Sequence, residues 1–118
     1  EALAYNEKCL KICLATFGAD HREVAITYNS MASVYRNQGK YDEALAYYEK
    51  CLKIQFATLG ADHPSVAATY SNMASLYDNQ GKYDEALAYY EKSLKIQLAT
   101  LGADHPKVAD TYYYIASV

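Results

Sequence analysis

The sequence predicts an all-α fold, a solenoid of antiparallel helix pairs stacked one on the next, and three observations carry that prediction. The first is a repeat: EALAYNEKCLKICLATFGADH at position 1 returns as EALAYYEKCLKIQFATLGADH at 43 and as EALAYYEKSLKIQLATLGADH at 85, a period of 42 residues. A fixed period of this size, with most positions identical, is the signature of a stacked array. The second is that apolar residues within each copy recur at helical rather than alternating spacing. The third is punctuation: glycine, proline and aspartate stand at the same places in successive copies and leave only short connections.

The helices are expected at approximately 2–17, 22–38, 42–59, 64–80, 84–101 and 106–118. The first, third and fifth share one sequence type, here termed second-type because it follows the other within a pair. In the copy at 42–59, Ala44, Leu45, Tyr48, Cys51, Leu52, Phe56 and Leu59 fall along one helical face. Glu49 stands four residues before Lys53, the favourable order for an exposed ion pair, as Glu7 does before Lys11 and Glu91 before Lys95. Gly60 sits where a left-handed C-terminal cap is wanted, Asp62 is a candidate N-cap, and Pro64 suits the first turn of the next helix. In that first-type helix, Val66, Tyr70, Met73 and Tyr77 make one stripe beside Ala67 and Ala74, and Gly81 stops it. Small residues at Ala2, Ala25, Ala32, Ala44, Ala67, Ala74 and Ala86, set among tyrosines and leucines, suit close helix approach. The chain is therefore read as a single array fragment over 1–118: a partial repeat at 1–40 beginning in its second-type helix, a full repeat at 41–82 and a partial repeat at 83–118. One copy cannot bury its apolar face alone, so stability is expected to come from stacked neighbours.

Composition narrows the function. With 52% hydrophobic and 21% charged residues the chain has the balance of an ordinary globular protein. A net charge of -3 gives no electrostatic reason to bind DNA or RNA, and charges interrupt every apolar stretch well short of the roughly twenty residues that span a membrane. Three cysteines, Cys9, Cys13 and Cys51, are too few for a disulfide scaffold, which points to reduced thiols and a cytoplasmic location.

The run NQGKYDEALAYYEKSL, from Asn79 to Leu94, resembles the turn and second helix of a tetratricopeptide repeat (TPR). Aligned on Gly81, the family's signature positions fall on Tyr70, Met73, Ala74, Tyr77, Ala86, Tyr90 and Ser93, most of them matching in kind. The usual repeat is about 34 residues with a proline after its second helix, whereas Leu14, Phe56 and Leu98 hold that place here, so the helix runs on. The extended form is similar to the 42-residue repeats of the kinesin light chain type. The resemblance covers the whole chain and implies a right-handed superhelix whose first-type helices line a concave groove, used in the family to grip protein or peptide partners. On that basis the groove-facing positions are Ile26, Asn29, Ser30, Ser33, Arg36 and Asn37, then Ala68, Ser71, Asn72, Ser75, Asp78 and Asn79, then Asp110, Tyr113, Tyr114 and Ser117. Asn29, Ser33, Arg36, Asn37, Ser71, Asn72, Asn79 and Tyr113 are the partner-binding candidates: Asn29 and Asn72 offer amides to a partner's backbone and Tyr113 offers apolar contact. Differences between copies gather on this face, as Ile26, Ala68 and Asp110 illustrate; solvent-facing positions also drift without selection. Related repeats that clamp a C-terminal carboxylate use several lysines and arginines, and Arg36 alone is basic here.

His21, His63 and His105 share one loop position. Equivalent atoms of stacked helices lie about 10 Å apart or more, while zinc needs ligands about 2 Å from one centre. Helix capping or loop packing is the expectation and a metal site is not. Cys9 and Cys51 stand where the family has alanine and are expected in the core, while Cys13, matching Gln55 and Gln97, is expected to be partly exposed and open to oxidation. Every polar motif is repeated, whereas a catalytic site is a singular constellation, so the sequence reads as non-enzymatic and without a cofactor. The expected function is a protein–protein interaction scaffold; the alternative is a structural spacer or self-assembling filament, which near-identical copies would also serve. Both ends are read as bare stacking faces, with end-to-end self-association or helix swapping expected.

Overall fold

The computed structural model describes residues 2–18 and 21–118. Glu1, Asp20 and the side chain of Ala2, which bear on the helix starts and small-residue stripe expected above, lie outside the described residues. The chain is all-α: α1 (Ala2–Phe17), α2 (Arg22–Asn37), α3 (Tyr41–Leu59), α4 (Pro64–Asn79), α5 (Tyr83–Leu101) and α6 (Pro106–Ser117). The helices form two compact units, Glu1–Gly60 with α1 to α3 and Ala61–Val118 with α4 to α6.

In the first unit α2 packs on both α1 and α3. Its core gathers Cys13 from α1, Val24 and Ala25 from α2, and Cys51 and Ile54 from α3, with Leu10 and Tyr28 half-buried against them. Tyr48, Met31, Ala32 and Ala44 are also buried. The second unit buries Val66, Ala67, Met73, Ala74 and Leu76 of α4, Ala86, Tyr90 and Ile96 of α5, and Val108 of α6. The alanines are needed because a larger side chain would force the axes apart. Phe56, placed on the apolar face by its spacing, is exposed instead, and Ile54, two residues earlier, is buried. A step of two residues turns about 200° around the helix, so burial of one excludes burial of the other against the same neighbour.

The turns divide into two kinds. After α2 and α4 the chain closes a Schellman motif: the Lys40 amide donates to Tyr35 O and the Gly39 amide to Arg36 O, repeated by Lys82 to Tyr77 O and Gly81 to Asp78 O. Gly39 and Gly81 take φ of +77°, which an L side chain resists. Lys40 and Lys82 occupy the N-cap positions of α3 and α5, with Asp42, Glu43 and their counterparts Asp84, Glu85 set against the positive end of the helix.

After α3 and α5 the geometry departs from expectation. Gly60 has φ 90° and ψ 158°, and Gly102 φ 86° and ψ 160°, an extended positive-φ conformation rather than a left-handed helical cap. The following N-cap is also not Asp62: it is His63, whose Nδ1 accepts the Ser65 amide at 3.0 Å. The residue just before Pro64 is driven to extended backbone, and His63 at φ -76°, ψ 143° meets that restriction and the N-cap geometry together. His21 caps α2 and His105 caps α6 in the same way, as the shared loop position led one to expect.

Candidate functional site

The first-type helices carry the candidate positions, and each unit presents its own. On α2, Asn29, Ser33, Arg36 and Asn37 follow one another at helical spacing. Ile26 is 52% exposed and Asn37 exposed, while Asn29, Ser30, Ser33 and Arg36 are half-buried. The Ser33 Oγ lies 3.4 Å from the Tyr48 hydroxyl, so it also ties α2 to α3. Asn29 is the electrostatic anomaly of this face: its Oδ1 is sealed from solvent and has no hydrogen-bond partner among the described residues. An unpaired buried acceptor of this kind carries a desolvation penalty of about 1–3 kcal/mol.

In the second unit, Ser71 Oγ lies 2.7 Å from Ser93 Oγ, and Ser93 donates to Ala67 O at 2.9 Å. Because the single Ser93 proton goes to that carbonyl, Ser71 is the donor between the two hydroxyls. Ser71 thus satisfies Ser93, fully buried where the first unit has Cys51. Asn72, Ser75 and Asp78 are half-buried, and Ala68 and Asn79 are exposed. On α6, Asp110 and Ser117 are exposed, and Ser117 donates to Tyr114 O. Tyr114 stacks on Tyr90 of α5 with centroids 5.7 Å apart, and Tyr113, 70% exposed, meets the Tyr114 ring edge-on at 6.0 Å. Tyr113 is therefore the most exposed of the three adjacent tyrosines, Tyr112 to Tyr114, that α6 offers outward.

Two features escaped sequence reading. Lys50 Nζ lies over the rings of both Tyr47 and Tyr28, at 4.9 and 5.6 Å, and Lys92 over Tyr89 and Tyr70, at 4.6 and 5.6 Å. The signal was present as a Tyr-x-x-Lys spacing in every copy, including Tyr5 and Lys8, whose ring and ammonium are 5.7 Å apart. The second concerns the thiols. Cys9 is exposed and Cys13 buried, the reverse of expectation, whereas Cys51 is buried as expected. On α1, α2 packs along the Cys13 side, where Val24 and Ala25 lie, whereas the counterparts of Cys9 in later copies, Cys51 and Ser93, are buried against the helix that precedes theirs. Burial pushes the Cys13 thiol above its ordinary pKa, and the neighbouring Cys9 sulfur adds to the shift.

Tandem helix pairs with a polar, partly exposed first-type face define a helical-repeat protein. A family model described as tetratricopeptide repeat matches residues 1–55, 23–99 and 65–118, and the chain belongs to the tetratricopeptide repeat family. No curated protein matches it. Among solved structures it is similar to BtubC (BKLC) from P. vanneervenii, at 22% identity and a TM-score of 0.88, over 97% of this chain and 46% of that one. It is also similar to a Podosopora anserina protein described as a kinesin light chain with nearly identical TPR-like repeats, at 27% identity and a TM-score of 0.83, over 97% of this chain and 54% of that one. A singly substituted form of the latter gives a TM-score of 0.82. The fold is thus that of a TPR-like repeat solenoid of the kinesin light chain type, and the chain spans about half the length of the structures it matches.

Proposed function

We propose that the chain is a protein–protein interaction scaffold whose first-type helices grip an extended peptide or a partner protein. TPR repeats in general mediate such contacts and are generally not enzymes. The observation that carries the reading is where the copies differ: Ile26, Ala68 and Asp110 are all exposed, and Asn29, Ser71 and Tyr113 are half-buried or exposed, while most of the buried framework is repeated, Cys51 to Ser93 and Cys13 to Gln97 being exceptions. Within that surface, the half-buried Asn29 carries an unpaired Oδ1 that is sealed from solvent, so a partner's backbone N–H reaches it only if the side chain turns outward, and Tyr113 supplies apolar contact. Asn72, Arg36, Asn37 and Asn79 complete the polar complement, and Ser33 and Ser71 serve the helix pair at the same time. The absence of a basic cluster on this face argues against nucleic acid and against a carboxylate clamp. Among the described residues no helix is long and apolar enough to cross a membrane, and three free thiols suit a reducing, cytoplasmic compartment.

The test is selection from a displayed peptide library, run beside Asn29→Ala, Asn72→Ala, Tyr113→Ala combined. A common motif enriched by the parent and lost in the variant supports the reading, and no enrichment by either sinks it.

A second reading, self-association, rests on sequence complementarity between the two outer helices. Tyr112 of α6 occupies the position of Tyr28 and Tyr70, and Tyr5 and Lys8 of α1 occupy those of Tyr47 and Lys50. Tyr112 is 51% and Tyr5 71% exposed. The α1 helix of a second copy would then dock on α6 as α3 docks on α2, end to end or by exchange of helices. Sedimentation across a concentration series tests it: a monomer at every concentration excludes it.

A further inference from the structure

We infer that the histidine N-caps make the first-type helices sensitive to pH: protonation of the imidazole releases the start of each of these helices. His21 Nδ1 accepts the Glu23 amide at 3.0 Å, His63 Nδ1 the Ser65 amide at 3.0 Å and His105 Nδ1 the Lys107 amide at 3.1 Å. A ring nitrogen accepts only while it carries no proton, so each capping ring is neutral with its hydrogen on Nε2. Protonation places a hydrogen on Nδ1, pointed at the amide hydrogen that Nδ1 had accepted. It also adds a positive charge at the positive end of the helix. Histidine is the side chain whose charge ordinarily changes between about pH 5 and 8, whereas the oxygen caps Asn, Ser and Thr take no proton there. The released turn adjoins the core. Each histidine carbonyl accepts the amides of a valine and an alanine, Val24 with Ala25, Val66 with Ala67 and Val108 with Ala109, and all three valines are fully buried.

The charges around the rings leave that sign in place. An aspartate precedes each histidine in sequence, Asp20, Asp62 and Asp104; Asp62 and Asp104 are exposed, and water screens the pull of an exposed carboxylate on a charged ring. Arg22 and Glu23 follow His21, and Lys107 follows His105. The C-terminal halves of α1 and α3 lie beside the start of α2, where Cys13, Cys51 and Ile54 meet Val24 and Ala25. Their titratable groups are the two buried thiols with Lys11 and Lys53. The same half of α5 lies beside the starts of α4 and α6, where Ser93 meets Ala67 and Gln97 meets Thr111, and carries Lys95. The three lysines are exposed and repel an imidazolium. Phe17 pulls the other way: its ring stacks on His21 with centroids 4.2 Å apart, and a ring face attracts a cation. His21 is therefore the least responsive of the three, since Leu59 and Leu101 hold the place of Phe17 in the other copies. The folded chain keeps the capping rings unprotonated where the unfolded chain takes up protons, and stability rises with pH wherever the unfolded state binds more protons. The caps thus contribute fully above the range in which an unfolded histidine titrates, and their contribution is lost as pH falls through it.

The test is urea unfolding of the 118-residue chain, followed by circular dichroism from about pH 8 to about pH 5. It is run beside the combined variant His21→Asn, His63→Asn, His105→Asn. Asparagine caps through an oxygen that takes no proton in this range, and every carboxylate and thiol is common to the two chains. The denaturation midpoint of the parent should fall across the range, and that of the variant should fall by much less. Parallel curves overturn the inference. A second readout uses the parent alone: the amide resonances of Ser65 and Lys107 should shift as pH falls, with half-points matching those of the His63 and His105 rings. Amides that hold still while the rings titrate overturn it equally, and this readout decides should the variant not fold.

Discussion

Histidine is not among the favoured N-caps, which are Asn, Asp, Ser and Thr, yet His21, His63 and His105 each accept an amide through Nδ1 at the start of a first-type helix. The ring nitrogen stands in for the usual side-chain oxygen, and in α2 the ring also stacks on Phe17 at 4.2 Å. Replacing His63 with alanine removes the acceptor and should lower stability by about 1 kcal/mol, while His63→Asn keeps one and should stay within a few tenths; urea unfolding of the two variants distinguishes them. The sequence carried the capping role through the recurrence of the histidine at one loop position, but Asp62 looked the better cap by residue type alone; the restriction that Pro64 places on its predecessor favours His63, and His21 caps α2 before Arg22 without it. The cysteines were misjudged for a different reason. Periodicity says that Cys9 and Cys13 share a helical face and does not say which edge of that face a neighbour covers. Since the thiolate is the reactive form and burial raises the Cys13 pKa, iodoacetamide just above neutral pH should label Cys9 ahead of Cys13. The gap should narrow as pH rises through the higher pKa; equal rates near neutrality would contradict the burial.

At the scale of elements, the helices stop by two mechanisms that one residue type conceals. A Cβ built on Gly60 or Gly81 meets nothing within 4 Å, so the penalty for alanine is conformational alone. At Gly81 the Schellman turn asks for the left-handed region, which costs an L residue about 1–2 kcal/mol. At Gly60 the pairing of φ 90° with ψ 158° lies where glycine is nearly alone, at up to about 3 kcal/mol. Gly60→Ala should therefore lower the denaturation midpoint more than Gly81→Ala, and Gly81→Asn should be milder still, because asparagine tolerates the left-handed region. The same ordering could not be read from sequence, where both glycines simply end a helical pattern. What was legible at this scale were the alternation of two helix types and the small residues between them, because three copies of each signal repeat the message. The lysine–tyrosine clusters went unread, since a lysine at an exposed position looks like any other until the ring beneath it is located. Lys92→Met should cost about 0.5–1 kcal/mol, read as a loss relative to the parent in thermal unfolding.

For the whole molecule, near-identity of the copies made fold class and family legible while leaving the candidate face of the first-type helices nearly silent. A buried position is constrained by its neighbours, so Ala44 and Ala86 declare themselves; an exposed one such as Asn79 or Asp110 is constrained only by a partner that the chain does not contain. Length offers a separate lever on the molecule. Duplicating residues 41–82 adds a second-type and a first-type helix in their native order, with both kinds of turn, 42 residues to a chain of 118. The sensitivity of unfolding free energy to denaturant scales with the surface exposed, so the m-value of the extended chain should rise by about a third if it still unfolds in one step. In a repeat array the added copy also contributes its own stability and its interface with a neighbour, so the midpoint should move upward together with m. Urea melts followed by circular dichroism separate the outcomes: a steeper, later single transition means that neighbouring copies melt as one cooperative unit, whereas an unchanged slope or a second transition means that each copy melts for itself.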